Sequence, residues 1–139
     1  MEPGPLDLVR LVDPTAGLVV RVLGPQEEQT DDLDVDGLAV VVEVVGAVRA
    51  SWPDVVSRAD VAEWEAGLGE LERGRPVSWR DGGSGVALRL TPWPAGDRVD
   101  VRVWDEASTG IEVALPVRPA PGWVAEHRSM AARVRTAYP

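Results

Sequence analysis

Asp32-Leu33-Asp34-Val35-Asp36-Gly37-Leu38-Ala39-Val40-Val41-Val42-Glu43 carries two readings that cannot both hold. It satisfies the calcium-loop pattern D-x-[DN]-x-[DN]-G-x5-E at every prescribed position. After Gly37 it is also a nearly unbroken apolar run, as in a buried strand. A calcium loop needs oxygen ligands at alternating positions, a glycine at the sharp turn, and a bidentate Glu where an exit helix begins. The segment before this stretch contains Gly24 and Pro25, and the segment from Leu38 reads LAVVVEVVG. Neither flank has helical character, and valine, branched at Cβ, suits strands. If residues 38–45 are extended, Glu43 stands about 20 Å from Gly37 at ~3.3 Å per residue. It then cannot close on an ion held by the aspartates. The stretch is therefore read as the end of an acidic loop, 24–36, and the start of a central strand, 38–45. No metal site is expected; Asp32, Asp34 and Asp36 by themselves are the remaining route to one.

Working outward, residues 6–12 and 18–23 are apolar runs joined by Asp13-Pro14-Thr15-Ala16-Gly17, which predicts a β-hairpin. Gly46 interrupts the central strand as a bulge or turn would, and residues 47–52 continue until Pro53. Ser57-Arg58-Ala59-Asp60 resembles a capping box, with Asp60 in the place usually held by Glu or Gln. Val61, Trp64, Leu68 and Leu71 then recur at three- and four-residue steps, with Glu63 and Glu70 on the opposite face. Gly74 ends this amphipathic helix of about four turns. Its Trp64 is expected to pack onto a sheet. Four short strands follow at hairpin spacing: 77–80, 86–91, 98–104 and 111–117. Pro116 places the last one at an edge or near its end. A closing helix spans about 122–137, with Trp123, His127, Met130, Val134 and Tyr138 on one side. The expected fold is α+β: an antiparallel sheet of about six to seven strands with two amphipathic helices, one mid-chain and one C-terminal.

The 139 residues suit one domain, 1–139, large enough to bury about two-thirds of its unfolded surface. Cysteine is absent and His127 is the single histidine. Disulfides, thiol nucleophiles and multi-histidine metal sites within one chain are thereby excluded. The net charge of −9 disfavours nonspecific binding to nucleic acid, whose phosphates repel it, and suits solubility or a basic partner. No apolar run approaches a membrane span. The start MEPGPLDLVR has acids and prolines where a signal peptide carries a basic start and an apolar run, so the expected location is cytoplasmic.

Other candidate chemistry is local. Asp81-Gly82-Gly83-Ser84-Gly85 is glycine-rich but leads into a strand rather than a helix N-terminus, so it reads as a hairpin turn and not a phosphate loop. His127 reads as a packed histidine. A base there would need a nucleophile: Ser129 faces away on the helix, leaving the distant Ser51 and Ser108. Glu65 and Glu72 flank the apolar stripe of the first helix and read as a solvated rim, the alternative being an acid–base pair. Arg89, Arg98 and Arg102 with Asp100 and Glu112 predict a cross-strand charge ladder on the solvent side. Trp104 shares that polar face, either covered by the second helix or exposed as an interface anchor.

The stretches DLVRLVD, GLVVRVLG, ADVAEWEAGLGELERGRPVSW, VDVRVWD, STGIEVALPV and GWVAEHRSMAARVRTAYP resemble a family of small uncharacterised proteins from high-GC bacteria. The helix pattern D-x-x-x-W-x-x-x-L-x-x-L-x-x-G, on Asp60, Trp64, Leu68, Leu71 and Gly74, also resembles immunity proteins of the wall-associated polymorphic-toxin type. The second resemblance implies a small acidic inhibitor of a basic toxin, with no catalytic residues and no cofactor. Its contact surface would be the acidic loop, with Glu27, Glu28, Asp31, Asp32, Asp34 and Asp36, together with Trp104. The alternatives are a structural or regulatory subunit, and a small enzyme or ligand-binding domain.

Overall fold

The computed structural model of the chain describes residues 4–26, 37–82, 85–105 and 110–139. Strands β1 (Leu6–Val12), β2 (Gly17–Pro25), β3 (Gly37–Val45) and β4 (Ala50–Ser57) lead into helix α1 (Arg58–Glu72). Strands β5 (Val77–Trp79), β6 (Val86–Pro92), β7 (Val99–Asp105) and β8 (Glu112–Val117) lead into helix α2 (Trp123–Ala137). Among the described residues the strands form two four-stranded antiparallel sheets, β1-β2-β3-β4 and β5-β6-β7-β8, each a simple meander. The α+β class, the antiparallel pairing and both helices match the expectation. The strands divide into two sheets of four rather than running on in one.

β3 shows why the opening stretch is a strand. Leu38, Val40, Val42 and Val44 are buried, and Ala39, Val41 and Glu43 alternate with them on the other face. β3 pairs with β2 along one side and β4 along the other. This central position explains its near-continuous apolar character. β4 does not stop at Pro53 but runs on to Ser57. It lies at the edge of its sheet, where a proline's missing N–H costs no ladder bond. The backbone beside it confirms the direction: Val55 N–H donates to Asp54 Oδ1 and the Val55 carbonyl accepts from Arg80 Nη2, both from outside the ladder. Pro53, two residues back, faces the same way.

α1 begins as its sequence predicts. Ser57 Oγ accepts from Asp60 N–H at 3.0 Å, and Asp60 Oδ2 accepts from Ser57 N–H at 2.9 Å. This reciprocal box satisfies two otherwise orphaned donors. The helix ends at Gly74, which takes φ +76° and donates to the Leu71 carbonyl; that left-handed position suits glycine. The buried face is Val61, Trp64, Gly67, Leu68 and Leu71. α1 packs on β5 and on α2, and α2 packs on β1. Buried residues of both sheets and both helices form one contiguous cluster. At its centre Trp64, 0% exposed, meets Trp79 of β5 at 5.6 Å between ring centroids and His127 of α2 at 6.2 Å. The expected contact of Trp64 with a sheet is thus a contact with one strand, shared with the second helix. No helix of the described residues is long and apolar enough to cross a membrane.

Candidate functional site

The acidic residues Glu27, Glu28, Asp31, Asp32, Asp34 and Asp36 lie outside the described residues, as do Gly83, Ser84 and Ser108. The two ends of the acidic segment are held together: Gln26 N–H donates to the Gly37 carbonyl at 3.0 Å. The far end of the calcium pattern is placed. Glu43 lies six residues up β3 from Gly37, half-buried on the outer face, with its carboxylate 4.0 Å from Arg21 Nη1. Arg21 also donates from Nε to Asp7 Oδ1 at 3.1 Å. Glu43 therefore belongs to a charge row across the sheet, and the closing ligand of the pattern is committed elsewhere.

Trp104 occupies the outer face of β7, between Ala87 of β6 and Glu112 of β8. It is half-buried. The Arg102 guanidinium lies 5.6 Å from its ring centroid, while α2 packs on β1 and α1. Of the charge ladder expected around it, one ion pair crosses between strands among the described residues, Arg102 with Glu112. That contact holds the Glu112 carboxyl below the ordinary carboxylate range. Arg98 donates to Asp100 Oδ1 at 3.2 Å, and Arg89 donates to Ser78 Oγ at 2.8 Å. Trp93 joins the same face, unforeseen from the sequence. Its Nε1 donates to Asp100 Oδ2 at 2.9 Å and Arg98 stacks 4.1 Å over its ring. Arg89, Arg98, Asp100 and Arg102, with Ala114 and Pro116, line a shallow depression of about 420 Å³.

Glu65 and Glu72 bind arginines of the other helix: Arg135 reaches Glu65 at 3.2 Å and Arg128 pairs with Glu72. These are exposed interhelical ion pairs, each contributing on the order of 0–1 kcal/mol. An open groove of about 580 Å³ runs beside them, lined by Leu38, Val61, Ala62, Val134 and Tyr138, with Arg58 and Arg135 at its rim.

His127 is 1% exposed and both of its ring nitrogens are engaged. Nδ1 lies 2.6 Å from the Trp123 carbonyl, and Nε2 accepts from the Arg10 backbone N–H at 3.0 Å. This defines the neutral tautomer with the proton on Nδ1. With both nitrogens occupied by backbone, the ring has no free position to serve as a base for Ser51. Burial pushes its pKa below 6.5, against the Trp123 carbonyl and the Glu126 carboxylate, which act in the opposite sense. Asp13 shows the acidic counterpart. The Arg118 backbone N–H, then those of Thr15 and Ala16 and the Thr15 hydroxyl, hold its carboxyl at about 2, below the ordinary 3.8. That contact ties the β1–β2 turn to the end of β8.

These shifts define an acid response in two stages. A neutral buried histidine binds its proton more readily when unfolded, so its contribution is complete above pH 6.5 and is lost as pH falls below that. The Asp13 contribution is complete above 3.8 and is lost toward about 2. The urea midpoint should therefore fall on acidification from near pH 6.5. In His127→Gln that upper stage should disappear and the lower stage remain. Equal slopes in the two proteins between pH 7 and pH 5, set by ordinary histidine and carboxylate titration, would contradict this assignment.

A family model matches residues 6–139, nearly the whole sequence. The chain belongs to DUF5959, a family of unknown function. No curated protein matches the DUF5959 chain. Among solved structures it is similar to the plant transcriptional regulator PBF-2, with 13% identity, a TM-score of 0.58, and coverage of 99% of this chain and 84% of that one. At that identity the likeness is one of fold: the meander–helix–meander–helix course extends over the whole of the DUF5959 chain. Among the described residues of the DUF5959 chain no three His, Asp or Glu side chains cluster as a metal site.

One group escaped the sequence reading altogether. Asp54 of β4, Arg80 after β5 and Asp60 of α1 form a half-enclosed ion cluster. Arg80 Nη1 lies 2.6 Å from Asp54 Oδ2 and its Nε lies 3.6 Å from Asp60 Oδ2. Val86 N–H donates to the same Asp54 oxygen at 2.8 Å. Arg80 holds φ +63°, the one positive value for a non-glycine among the described residues. The nearest sequence signal was Pro53-Asp54, which the strand reading used as a terminator.

Proposed function

We propose that the DUF5959 chain is a non-catalytic protein-binding domain, and specifically an immunity-type inhibitor of a basic toxin. The observation that carries the reading is the charge of residues 27–36. Ten residues, EEQTDDLDVD, hold six carboxylates and no base in a chain whose net charge is −9. The Gln26–Gly37 hydrogen bond joins the ends of that segment at the mouth of a rigid strand pair. A concentrated acidic segment on a fixed base steers a basic partner to encounter and gives an association rate that falls with salt. The same charge opposes phosphate backbones. The Arg–Trp face of β6, β7 and β8, with Trp93 and Trp104, offers a second contact region of the kind enriched in interface anchors. A structural or regulatory subunit would use the same surfaces without inhibiting its partner.

The test takes as candidate toxin any basic secreted protein whose gene lies beside this chain's in its native genome; the absence of one across several loci would count strongly against the reading. Co-expression should restore growth to cells producing that toxin. A variant with all six acids of 27–36 changed to their amides should associate at least tenfold more slowly at low salt and lose much of its salt dependence. Unchanged association by the amide variant would remove the acidic segment from the proposal. Failure of the wild-type chain to protect, with binding intact, would favour the subunit reading.

A further inference from the structure

Among the described residues the sheets have four edges, and three of them are protected along their length. α2 lies along β1, where the Arg10 N–H is capped by His127. On β4, Asp54 and Arg80 satisfy both backbone groups of Val55, and Pro53 removes a donor. β5 is three residues long and lies against α1. β8 differs: among the described residues β7 is the element broadly packed on it, and the cap on its open side is at the far end, where Arg118 N–H donates to Asp13 Oδ2. Uncovered strand edges present unpaired donors and acceptors, and proteins normally blunt them.

The direction of the β8 backbone follows from the ladder. Asp105 N–H donates to the Ile111 carbonyl, and the register continues without a shift through Val103↔Val113, Val101↔Leu115 and Val99↔Val117. Alternate residues address alternate sides, so Glu112, Ala114 and Pro116 address the open side. Pro116 has no donor to offer there, which is consistent with the ladder to β7 being complete. The core layer also ends incompletely covered at this strand. Val101 and Val103 are 1% and 0% exposed, whereas their partners Leu115 and Val113 are half-buried.

We propose that β8 is a dimerisation edge, pairing antiparallel with β8 of a second copy about a two-fold axis at Ala114. The two four-stranded sheets then become one sheet of eight strands. A second copy is the occupant favoured by self-complementarity, which a two-fold interface requires. In this register Ala114 meets the partner's Ala114 and the two exchange both backbone bonds. Glu112 N–H meets the Pro116 carbonyl on each side, for about four bonds in all. Val113 falls opposite the partner's Leu115 and extends the core layer across the junction. Glu112 is already neutralised by Arg102 of its own chain, so like charges do not meet at the seam. A single strand edge buries less than the roughly 1,200 Å² of a standard stable interface, so the dimer is weak and concentration-dependent. Each copy carries −9, so added salt strengthens the pairing by screening, the opposite of its effect on a basic partner.

Sedimentation velocity of the full chain across a concentration series tests this. Wild type should pass from monomer to dimer, at lower concentration in high salt. Ala114 is exposed and points to solvent beside Arg102, so charge there leaves folding intact, which thermal unfolding verifies. Ala114→Arg and Ala114→Asp place like charges directly opposite at the axis, and each should weaken self-association at least tenfold. Mixing the two should restore a dimer, since opposite charges then meet. A wild type that stays monomeric to its solubility limit overturns the proposal. So do variants that dimerise like wild type, or a mixture that gains nothing.

Discussion

Replacing Trp64 with alanine should lower the unfolding free energy by about 3–5 kcal/mol, the range for truncating a buried large aromatic. Trp64 is 0% exposed, and it meets both the Trp79 ring beneath α1 and the His127 ring of α2. Its removal empties the junction between sheet and helices rather than one surface of it. The surrounding rings are fixed by other bonds: Trp79 Nε1 donates to the Asp60 carbonyl at 2.8 Å, and His127 is held at both nitrogens. They cannot collapse into the space, so the cavity cost is retained. The measurement is the urea midpoint at constant m-value. Trp64→Phe separates two contributions. The indole Nε1 is buried without a hydrogen-bond partner, an omission that costs about 1–3 kcal/mol. Phenylalanine removes that orphan donor while keeping most of the apolar volume, so its net loss should be under half that of alanine. Both variants remove the orphan donor, so equal losses would mean that the retained ring volume contributes no stability.

The Trp64 helix was legible because everything that makes it is local. Its capping box, its three- and four-residue spacing and its closing glycine all fall between Ser57 and Gly74, and all stand as read. The strands were legible for the same reason, since period-two alternation is visible within five or six residues. Their division into two sheets was not. β4 and β5 are separated in sequence by α1 alone, and nothing in either strand states that they do not pair. β4 itself was cut short because Pro53 reads as a terminator until the strand is known to be an edge. The acidic residues of 27–36 were picked out by charge, which needs no fold, and they lie outside the described residues. The position of Trp104 was not, because its parity places it on the polar face without saying what lies over that face. His127 was read as packed, but its capping of an edge strand joins residues 117 apart, a pairing no local pattern encodes. Asp54 and Arg80 are the extreme case, since a left-handed arginine has no sequence signature.

Asp54→Ala should cost about 3 kcal/mol, the lower end for breaking a buried ion pair by removing one partner. The side chains are 15% and 9% exposed for Asp54 and Arg80, so some solvent reaches the pair and the upper end does not apply. Three things are lost together. The Arg80 guanidinium keeps Asp60 at 3.6 Å, the Val55 carbonyl and the face of the Trp79 ring, the Val86 N–H loses its acceptor at the entry of β6, and the Val55 N–H loses its own. Asp54→Asn keeps an acceptor for Val86 but not the charge, so it should fall between wild type and alanine. Gly85 belongs to the same unit, because a Cβ there would lie 2.4 Å from the Asp54 carboxylate. Gly85→Ala must displace that carboxylate and should be clearly destabilising in wild type, yet nearly silent in the Asp54→Ala background. This non-additivity marks residues that share one partner. Arg80 adds an internal control. Its φ of +63° is a strained position for a side-chain-bearing residue that glycine adopts freely. Arg80→Gly should therefore be less damaging than Arg80→Ala, although both delete the guanidinium. If the two are equal, the backbone is unstrained and the ion pair alone holds the β5–β6 turn against β4. If Asp54→Ala and Gly85→Ala add fully, the clamp between the two sheets is not a single unit and the carboxylate is a surface group.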